Sequence, residues 1–192
     1  MIDLPSYVAG KAAHTDDKLQ VLYPWDGSLT GTVSKVGPSE LDEAIEAALE
    51  GHKNPLTRYE RHEILRKAAA LMAEHREEMA KIICREAGLC MKETMYETGR
   101  TSDVLEFAAA EALKDDGQVF SCDISPQGKA RKIFTFRQPV QLISAITPFN
   151  HPLNQVAHKL AQNMYSQTQE EGGETPPEGE TDAGPESETE GK

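Results

Sequence analysis

Apolar residues in the N-terminal half of the chain follow first the period of a strand and then that of a helix. Residues 21–36 (VLYPWDGSLTGTVSKV) hold two β-prone runs around the Asp-Gly-Ser turn at 26–28, which predicts a β-hairpin. Ser39 has the features of an N-cap, with Asp42 three positions later, and apolar side chains then recur at helical spacing as far as Gly51. An amphipathic helix is therefore predicted after the hairpin.

Further helical segments follow, with recognisable signals at their ends. Thr57 and Glu60 have the spacing of a capping box, and an apolar stripe begins at Ile64. The stripe continues to Gly88, a residue type that commonly ends helices in a left-handed conformation. The next helical stretch runs from about residue 92 to 113. Its expected buried side consists of small or branched residues: Val104, Leu105, Ala108, Ala109 and Ala112.

The hydrophobic pattern changes after these helices. Short β-prone pieces at residues 119–120 and 132–137 flank a turn-rich segment, which predicts a second hairpin. Residues 140–146 (VQLISAI) are mostly apolar rather than alternating, as is typical of a strand buried on both faces in a parallel sheet. A loop then leads to Pro152, which suits the first turn of a helix ending near Ala161. This order of strand, loop and helix is where α/β folds bind ligands.

Composition sets the C-terminal segment apart. Residues 162–192 carry nine carboxylates and one lysine, and so contribute −8 of the net charge of −12. No Leu, Ile, Val, Phe or Trp follows Leu160, so little apolar surface could offset the entropy lost on ordering. Residues 167–192 are therefore expected to be disordered. The predicted organisation is a folded region at 1–161 and an acidic low-complexity tail at 162–192.

Composition and motifs also argue against several classes of protein. The 32 acidic residues outnumber 20 basic ones without a basic cluster, so nucleic acid is not an expected partner. The chain has neither a secretory leader nor about 18 consecutive apolar residues, so no membrane association is expected. Three cysteines without a C-x-x-C pair favour the reducing cytoplasm. The scattered histidines lack neighbouring ligands at metal-binding spacing, and no metal site is predicted.

Residues 143–159 (ISAITPFNHPLNQVAHK) resemble the aldehyde dehydrogenase superfamily. That family follows the first strand of its nucleotide-binding domain with a T-P-[FW]-N-x-P-L loop, which residues 147–153 match. The PWDG sequence at 24–27 and the helical residues 57–86 occur in the order and spacing of the N-terminal half of the family. The resemblance covers about residues 6–161.

This resemblance implies an α/β fold, namely the N-terminal part of the aldehyde dehydrogenase fold with its helices, two hairpins and first sheet strand. The implied reaction is oxidation of an aldehyde to a carboxylic acid with NAD or NADP, in which a cysteine thiolate adds to the aldehyde and an Asn amide holds the oxyanion. Asn150 matches that Asn; without the family it would be taken for a turn residue between two prolines. The residues that match the cofactor-lining loop are Ile146, Thr147, Pro148 and Phe149.

The substrate class is also suggested by resemblance. Residues 88–100 (GLCMKETMYETGR), 115–123 and 149–159 look most like phosphonoacetaldehyde dehydrogenases, with lactaldehyde-type enzymes the neighbouring choice. On that basis Arg100 and His151 match positions that would hold the anionic end of a small aldehyde, for which a guanidinium is well suited. The alternative for Arg100 is a solvated helical residue.

The family's later motifs, including its catalytic Cys and Glu, have no counterpart in residues 1–192, and Cys84, Cys90 and Cys122 lie outside its Cys motif. The chain is accordingly expected to be a truncated N-terminal portion that is inactive by itself, with a frameshift or gene truncation as the simplest cause. The alternative function is a non-catalytic protein that associates with full-length subunits or forms a homo-oligomer through its helices and hairpins.

Overall fold

The computed structural model describes residues 2–114, 117–138, 140–165 and 169–173 and has a mixed α/β architecture. The chain divides into two compact units. Of the described residues, the first contains 2–114, 138, 140–165 and 169, and the second contains 117–137 and 170–173. All the α-helices of the described residues belong to the first unit.

The first unit begins with short strands: β1 (Ile2–Leu4), β2 (Ser6–Val8), β3 (Lys11–Ala13), β4 (Lys18–Leu22) and β5 (Leu29–Ser34). β5 lies between β1, which is parallel to it, and β4, which is antiparallel, while β2 and β3 form a separate ribbon. The predicted first hairpin is confirmed as β4 and β5. Its turn contains Gly27 at φ +72°, and the Asp26 carboxylate accepts a hydrogen bond from the Ser28 amide at 2.9 Å.

The helices are α1 (Pro38–His52), α2 (Arg58–Glu74), α3 (Arg76–Ala87), α4 (Met91–Glu111) and α5 (Pro152–Tyr165). The capping box that begins α2 is confirmed, because Thr57 Oγ1 accepts from the Glu60 amide at 3.2 Å and Glu60 Oε2 accepts from the Thr57 amide at 2.8 Å. Gly88 ends α3 at φ +69°, as predicted.

The predicted cap of α1 is wrong. The helix begins at Pro38, its N-cap is Gly37 rather than Ser39, and Glu40 rather than Asp42 accepts the cap amide at 2.9 Å. Proline suits a first helical position because its φ is already helical and it has no amide hydrogen to leave unpaired.

The core of the first unit lies where α2, α4 and α5 meet. Its buried members are Leu65, Ala69, Leu105, Ala108, Ala109, Ala112 and Ala161. The predicted buried side of α4 is thus confirmed, with Val104 packing at its edge. Alanines at these positions have little side-chain bulk, so the helix axes can approach closely.

The second unit contains the predicted second hairpin, formed by β6 (Val119–Ser121) and β7 (Lys132–Gln138) in antiparallel register. A third strand, β8 (Gln169–Gly173), lies on the other side of β7. β8 lies within the segment expected to be a disordered tail, and its pairing is through the backbone, since the sequence offers no apolar side chain there to bury. The rest of the expected tail, 167–168 and 174–192, lies outside the described residues.

Residues 140–146 do not form the strand that their composition predicts. Residues 141–146 are exposed, with 45% of Leu142 and 85% of Ile146 accessible to solvent. None of the strands in the described residues pairs with this segment. A strand buried on both faces needs hydrogen-bonded neighbours and covering layers, and the described part of the chain supplies neither here.

Candidate active site

The loop with the motif residues leads directly into α5. The helix begins at Pro152, as predicted, and its first turn closes where the Gln155 amide donates to the His151 carbonyl at 3.0 Å. Asn150 is exposed just before this turn, and 91% of Phe149 is accessible to solvent. The predicted oxyanion residue therefore lies next to the start of a helix, and its side chain is not covered by any of the described residues.

A buried glutamate of α4 fixes the start of α5. Glu97 is 2% exposed, and its Oε1 accepts hydrogen bonds from the amides of Leu153 at 2.9 Å and Asn154 at 3.0 Å. The first amides of a helix have no partner inside the helix, and a carboxylate there also interacts favourably with the helix dipole. Glu97 thus binds α4 to the segment that carries the motif.

The same glutamate faces His151. The His151 Nδ1 lies 3.6 Å from Glu97 Oε2, and 46% of the His151 side chain is exposed. This places His151 between a buried carboxylate and solvent. Among the predicted site residues of the motif loop, it is the one whose side chain faces a residue of α4.

Arg100 lies one turn beyond Glu97 on α4 and is exposed. Its guanidinium carbon is 5.8 Å from the centroid of the Tyr96 ring, a cation–π arrangement. Within the described residues, no recorded contact joins Arg100 to His151. Their convergence on one anionic group stays a prediction.

Glu97 was not identified from sequence, although its surroundings contain a signal. Thr94, Thr98 and Thr101 occur at helical spacing around it, and all are buried. The Thr98 and Thr101 hydroxyls donate to the carbonyls of Thr94 and Glu97, four residues earlier, at 3.1 and 3.0 Å. The threonines therefore satisfy their own polar groups within α4, whereas the Glu97 carboxylate takes its donors from α5.

Other kinds of site receive no support from the described residues. No group of three or more His, Cys, Asp or Glu side chains in the part of the chain that the structure describes could hold a metal ion. No helix there has the length and apolar character needed to span a membrane. Cys84, Cys90 and Cys122 are free thiols, and Cys84 Sγ donates to the Leu89 carbonyl.

The family model "Aldehyde dehydrogenase family" matches residues 11–166, which include α4, the motif loop and α5 up to its last residue. The chain belongs to the aldehyde dehydrogenase family. This membership confirms the resemblance found at residues 143–159.

Among aldehyde dehydrogenases, the 3-sulfolactaldehyde dehydrogenase of Priestia aryabhattai is 34% identical over 154 residues, which are 80% of this chain and 32% of that protein. Aspartate-semialdehyde dehydrogenase 1 of Pseudomonas canavaninivorans is 36% identical over 77% of this chain and 32% of that protein. The structure resembles NADP-dependent glyceraldehyde-3-phosphate dehydrogenase from Bacillus halodurans C-125, solved with NADP, with a TM-score of 0.80 and 25% identity over 87% of this chain and 36% of that one. The chain thus spans about a third of the length of these relatives.

Proposed function

We propose that residues 1–161 are the N-terminal portion of an NAD(P)-dependent aldehyde dehydrogenase, to which they contribute Asn150 as the oxyanion-holding residue. The observation that carries the proposal is the exposed Asn150 at the start of a helix fixed by Glu97, inside the range that matches the family. The Asn150 side-chain amide would donate a hydrogen bond to the oxygen that becomes negative when a thiolate adds to the aldehyde. A neutral amide suits this role because it donates without a proton to lose.

The loop before Asn150 fits a nucleotide cofactor. Residues 146–149 are exposed, and among the described residues no backbone–backbone hydrogen bond outside helices and strands involves them. Ile146, Thr147, Pro148 and Phe149 thus offer unpaired backbone groups and apolar surface, which a nicotinamide ribose and its phosphates could contact. Bound NAD or NADP would supply a hydride acceptor. The relative solved with NADP supports this assignment.

The proposed substrate is phosphonoacetaldehyde or a similar small anionic aldehyde. Arg100 and His151 would supply the cationic groups for its acidic end, since guanidinium and imidazolium both donate hydrogen bonds to such anions. The names of the relatives support this class, because sulfolactaldehyde, aspartate semialdehyde and glyceraldehyde 3-phosphate each carry an acidic group.

Residues 1–192 are proposed to be inactive alone, because the family's Cys and Glu motifs have no counterpart in this sequence. Purified chain incubated with phosphonoacetaldehyde or lactaldehyde and either cofactor should form no NAD(P)H above the blank. Reproducible turnover that Asn150→Ala abolishes would overturn this proposal.

The free thiols fit the reducing cytoplasm as its compartment.

A chimera tests the role of Asn150 directly. Residues 1–161 would replace the matching segment of the Priestia 3-sulfolactaldehyde dehydrogenase, which supplies the remaining two thirds of the fold. We expect Asn150→Ala in an active chimera to lower kcat about 10²- to 10³-fold, the usual cost of one lost oxyanion donor. Gln141→Ala, which also removes an exposed amide near the loop, is the control and should leave kcat unchanged. Equal rates for the two variants would refute the assignment.

The substrate class can be tested in the same chimera. Arg100→Gln should raise KM for phosphonoacetaldehyde while leaving KM for an uncharged aldehyde such as propanal unchanged, because the variant removes the charge and retains the aliphatic stem and a polar end. A parallel rise for both aldehydes would show that Arg100 acts on the fold. A lower KM for lactaldehyde than for phosphonoacetaldehyde would favour the lactaldehyde type.

A second candidate function is association with other subunits without catalysis. The observation in its favour is the run of exposed apolar side chains at Leu142, Ile143, Ile146 and Phe149. Light scattering on the purified chain, alone and mixed with a full-length aldehyde dehydrogenase subunit, distinguishes a monomer from homo-oligomers and mixed assemblies. A chain that stays monomeric in both samples would exclude this function.

A further inference from the structure

The carboxylate of Glu97 on α4 is buried, and its two oxygens differ in their hydrogen bonding. Oε1 accepts two amide hydrogen bonds from α5, whereas Oε2 is buried and has no hydrogen-bond partner among the described residues. Buried polar atoms of native proteins are almost always paired, and an unpaired carboxylate oxygen is costly. The second oxygen therefore requires a donor that the hydrogen bonds to α5 do not supply.

His151 is placed to be that donor. Its Nδ1 is 3.6 Å from Glu97 Oε2, which is longer than a hydrogen bond but within the range of an ion pair. The ring is half-exposed, so the solvent on one side leaves room for a small rotation that would shorten the distance. A protonated Nδ1 would then satisfy Oε2.

We infer that Glu97 is the positioning residue for both Asn150 and His151, an inference that rests on the proposed function. Through Oε1 it fixes the first turn of α5, and thereby the backbone three and four residues after Asn150. Through Oε2 it holds the His151 ring by Nδ1, and in the imidazolium form of the ring Nε2–H is then left to donate to the acidic end of the aldehyde. Glu97 itself touches neither substrate nor cofactor.

The first measurement is amide hydrogen exchange, resolved by residue in the full chain. Glu97→Gln exchanges a charged acceptor for a neutral one, so the Leu153 and Asn154 amides should exchange about tenfold faster than in the wild-type chain. Glu97→Asp retains the charge and should restore part of the protection. Glu106→Gln makes the same change at an exposed position of α4 and should leave these amides unaffected.

The second measurement is the ¹⁵N spectrum of the neutral His151 ring, which distinguishes the two tautomers. In the wild-type chain Glu97 Oε2 requires a hydrogen on Nδ1. In Glu97→Gln the carboxamide oxygen stays with the α5 amides and its NH₂ group faces His151, so Nδ1 must accept and the hydrogen moves to Nε2. A residue that only stabilised α5 would not reverse the tautomer.

The outcomes separate this inference from the proposed function. Selective loss of protection at Leu153 and Asn154 together with tautomer reversal supports positioning by Glu97. An unchanged tautomer, or a loss of protection spread equally over α2, α4 and α5 in both Glu97 variants, overturns it. Neither measurement uses turnover, so an inactive chimera would count against the proposed function and leave the result for Glu97 standing.

Discussion

Two helix starts in this chain have a hydroxyl residue followed three positions later by an acid, and the structure uses them differently. Thr57 and Glu60 form reciprocal hydrogen bonds, whereas Ser39 lies inside α1. The difference comes from Pro38, which takes the first helical position and moves the cap back to Gly37. Cap residues could therefore be predicted from sequence where no proline preceded them.

Thr57→Ala should lower the free energy of unfolding by about 1 kcal/mol, because it leaves an amide at the start of α2 without its acceptor. Urea denaturation measures the change. Ser39→Ala is the matched control, since it removes a hydroxyl that caps no amide of α1, and it should cost much less. Equal losses would contradict the assignment of both caps.

The stabilisation of α2 by its capping box should also depend on pH. The hydrogen bond from the Thr57 amide holds the pKa of Glu60 below its ordinary value of 4.5. Because the folded pKa is the lower one, the stabilising effect is present above the unfolded value and is lost as pH falls through the lowered pKa. The difference in urea midpoint between wild type and Glu60→Gln should therefore shrink on acidification below 4.5.

Gly88→Ala should destabilise the first unit by about 1–2 kcal/mol, because an alanine is strained in the left-handed conformation. Gly88 has φ +69°, and an added Cβ would lie 3.2 Å from Pro24 carbons. Gly51→Ala is the control: it lies in α1 with open space around it and should stabilise by about 0.5–1 kcal/mol. Thermal unfolding of the two variants should shift in opposite directions, and a shared direction would be inconsistent with this account.

Among the secondary-structure elements, apolar periodicity correctly predicted the helix faces that are buried by apolar contacts. The buried side of α4 at Leu105, Ala108 and Ala109 was identified because those positions repeat at helical spacing. The earlier turns of α4 bury polar residues, including Glu97, whose partners lie on α5, 56 and 57 residues away. The threonines around Glu97 are a local signal of a buried polar side of α4, but partners so far along the chain leave no local pattern, so the pairing of Glu97 with α5 could not be predicted.

The segment at residues 140–146 shows a second limit of prediction from sequence, because its composition predicts a strand that does not form. Its composition suits a buried strand, but composition does not determine whether neighbouring strands exist, and those described here pair elsewhere. Pairing is a property of the sheet as a whole. The loop and the start of α5 at Pro152 were nevertheless predicted correctly, because Pro152 and the helical pattern after it act locally, although the helix continues to Tyr165 rather than ending near Ala161.

Replacing Leu142 and Ile146 together by serine should reduce binding of the dye ANS and improve solubility without lowering the unfolding temperature. Both side chains are exposed, so the change removes apolar surface from water and breaks no core contact. Leu65→Ala is the contrasting control, since truncation of this buried core residue should cost about 2–5 kcal/mol. A cooperative loss of stability in the double serine variant would show that residues 142 and 146 are packed in solution.

At the scale of the whole molecule, the two compact units are stabilised by different interactions. The first unit has a helical core of apolar side chains. The residues of β6 are all exposed, and β8 has the sequence QEEGG, which contains no apolar side chain. We therefore infer that β8 is held in its sheet mainly by backbone hydrogen bonds.

Removal of β8 should accordingly leave the helical core unchanged. We expect a chain ending at residue 167 to keep its helical circular dichroism and its unfolding temperature, because Met164 is the last residue that packs against the helical core in the described part of the chain. Amides of β7 should exchange faster, since β8 is one of its two hydrogen-bonded neighbours. A chain ending at residue 173 retains β8 and serves as the control. If both chains lost helix together, the residues after 173 would be required for the fold; if neither changed in β7, the pairing with β8 would not persist in solution.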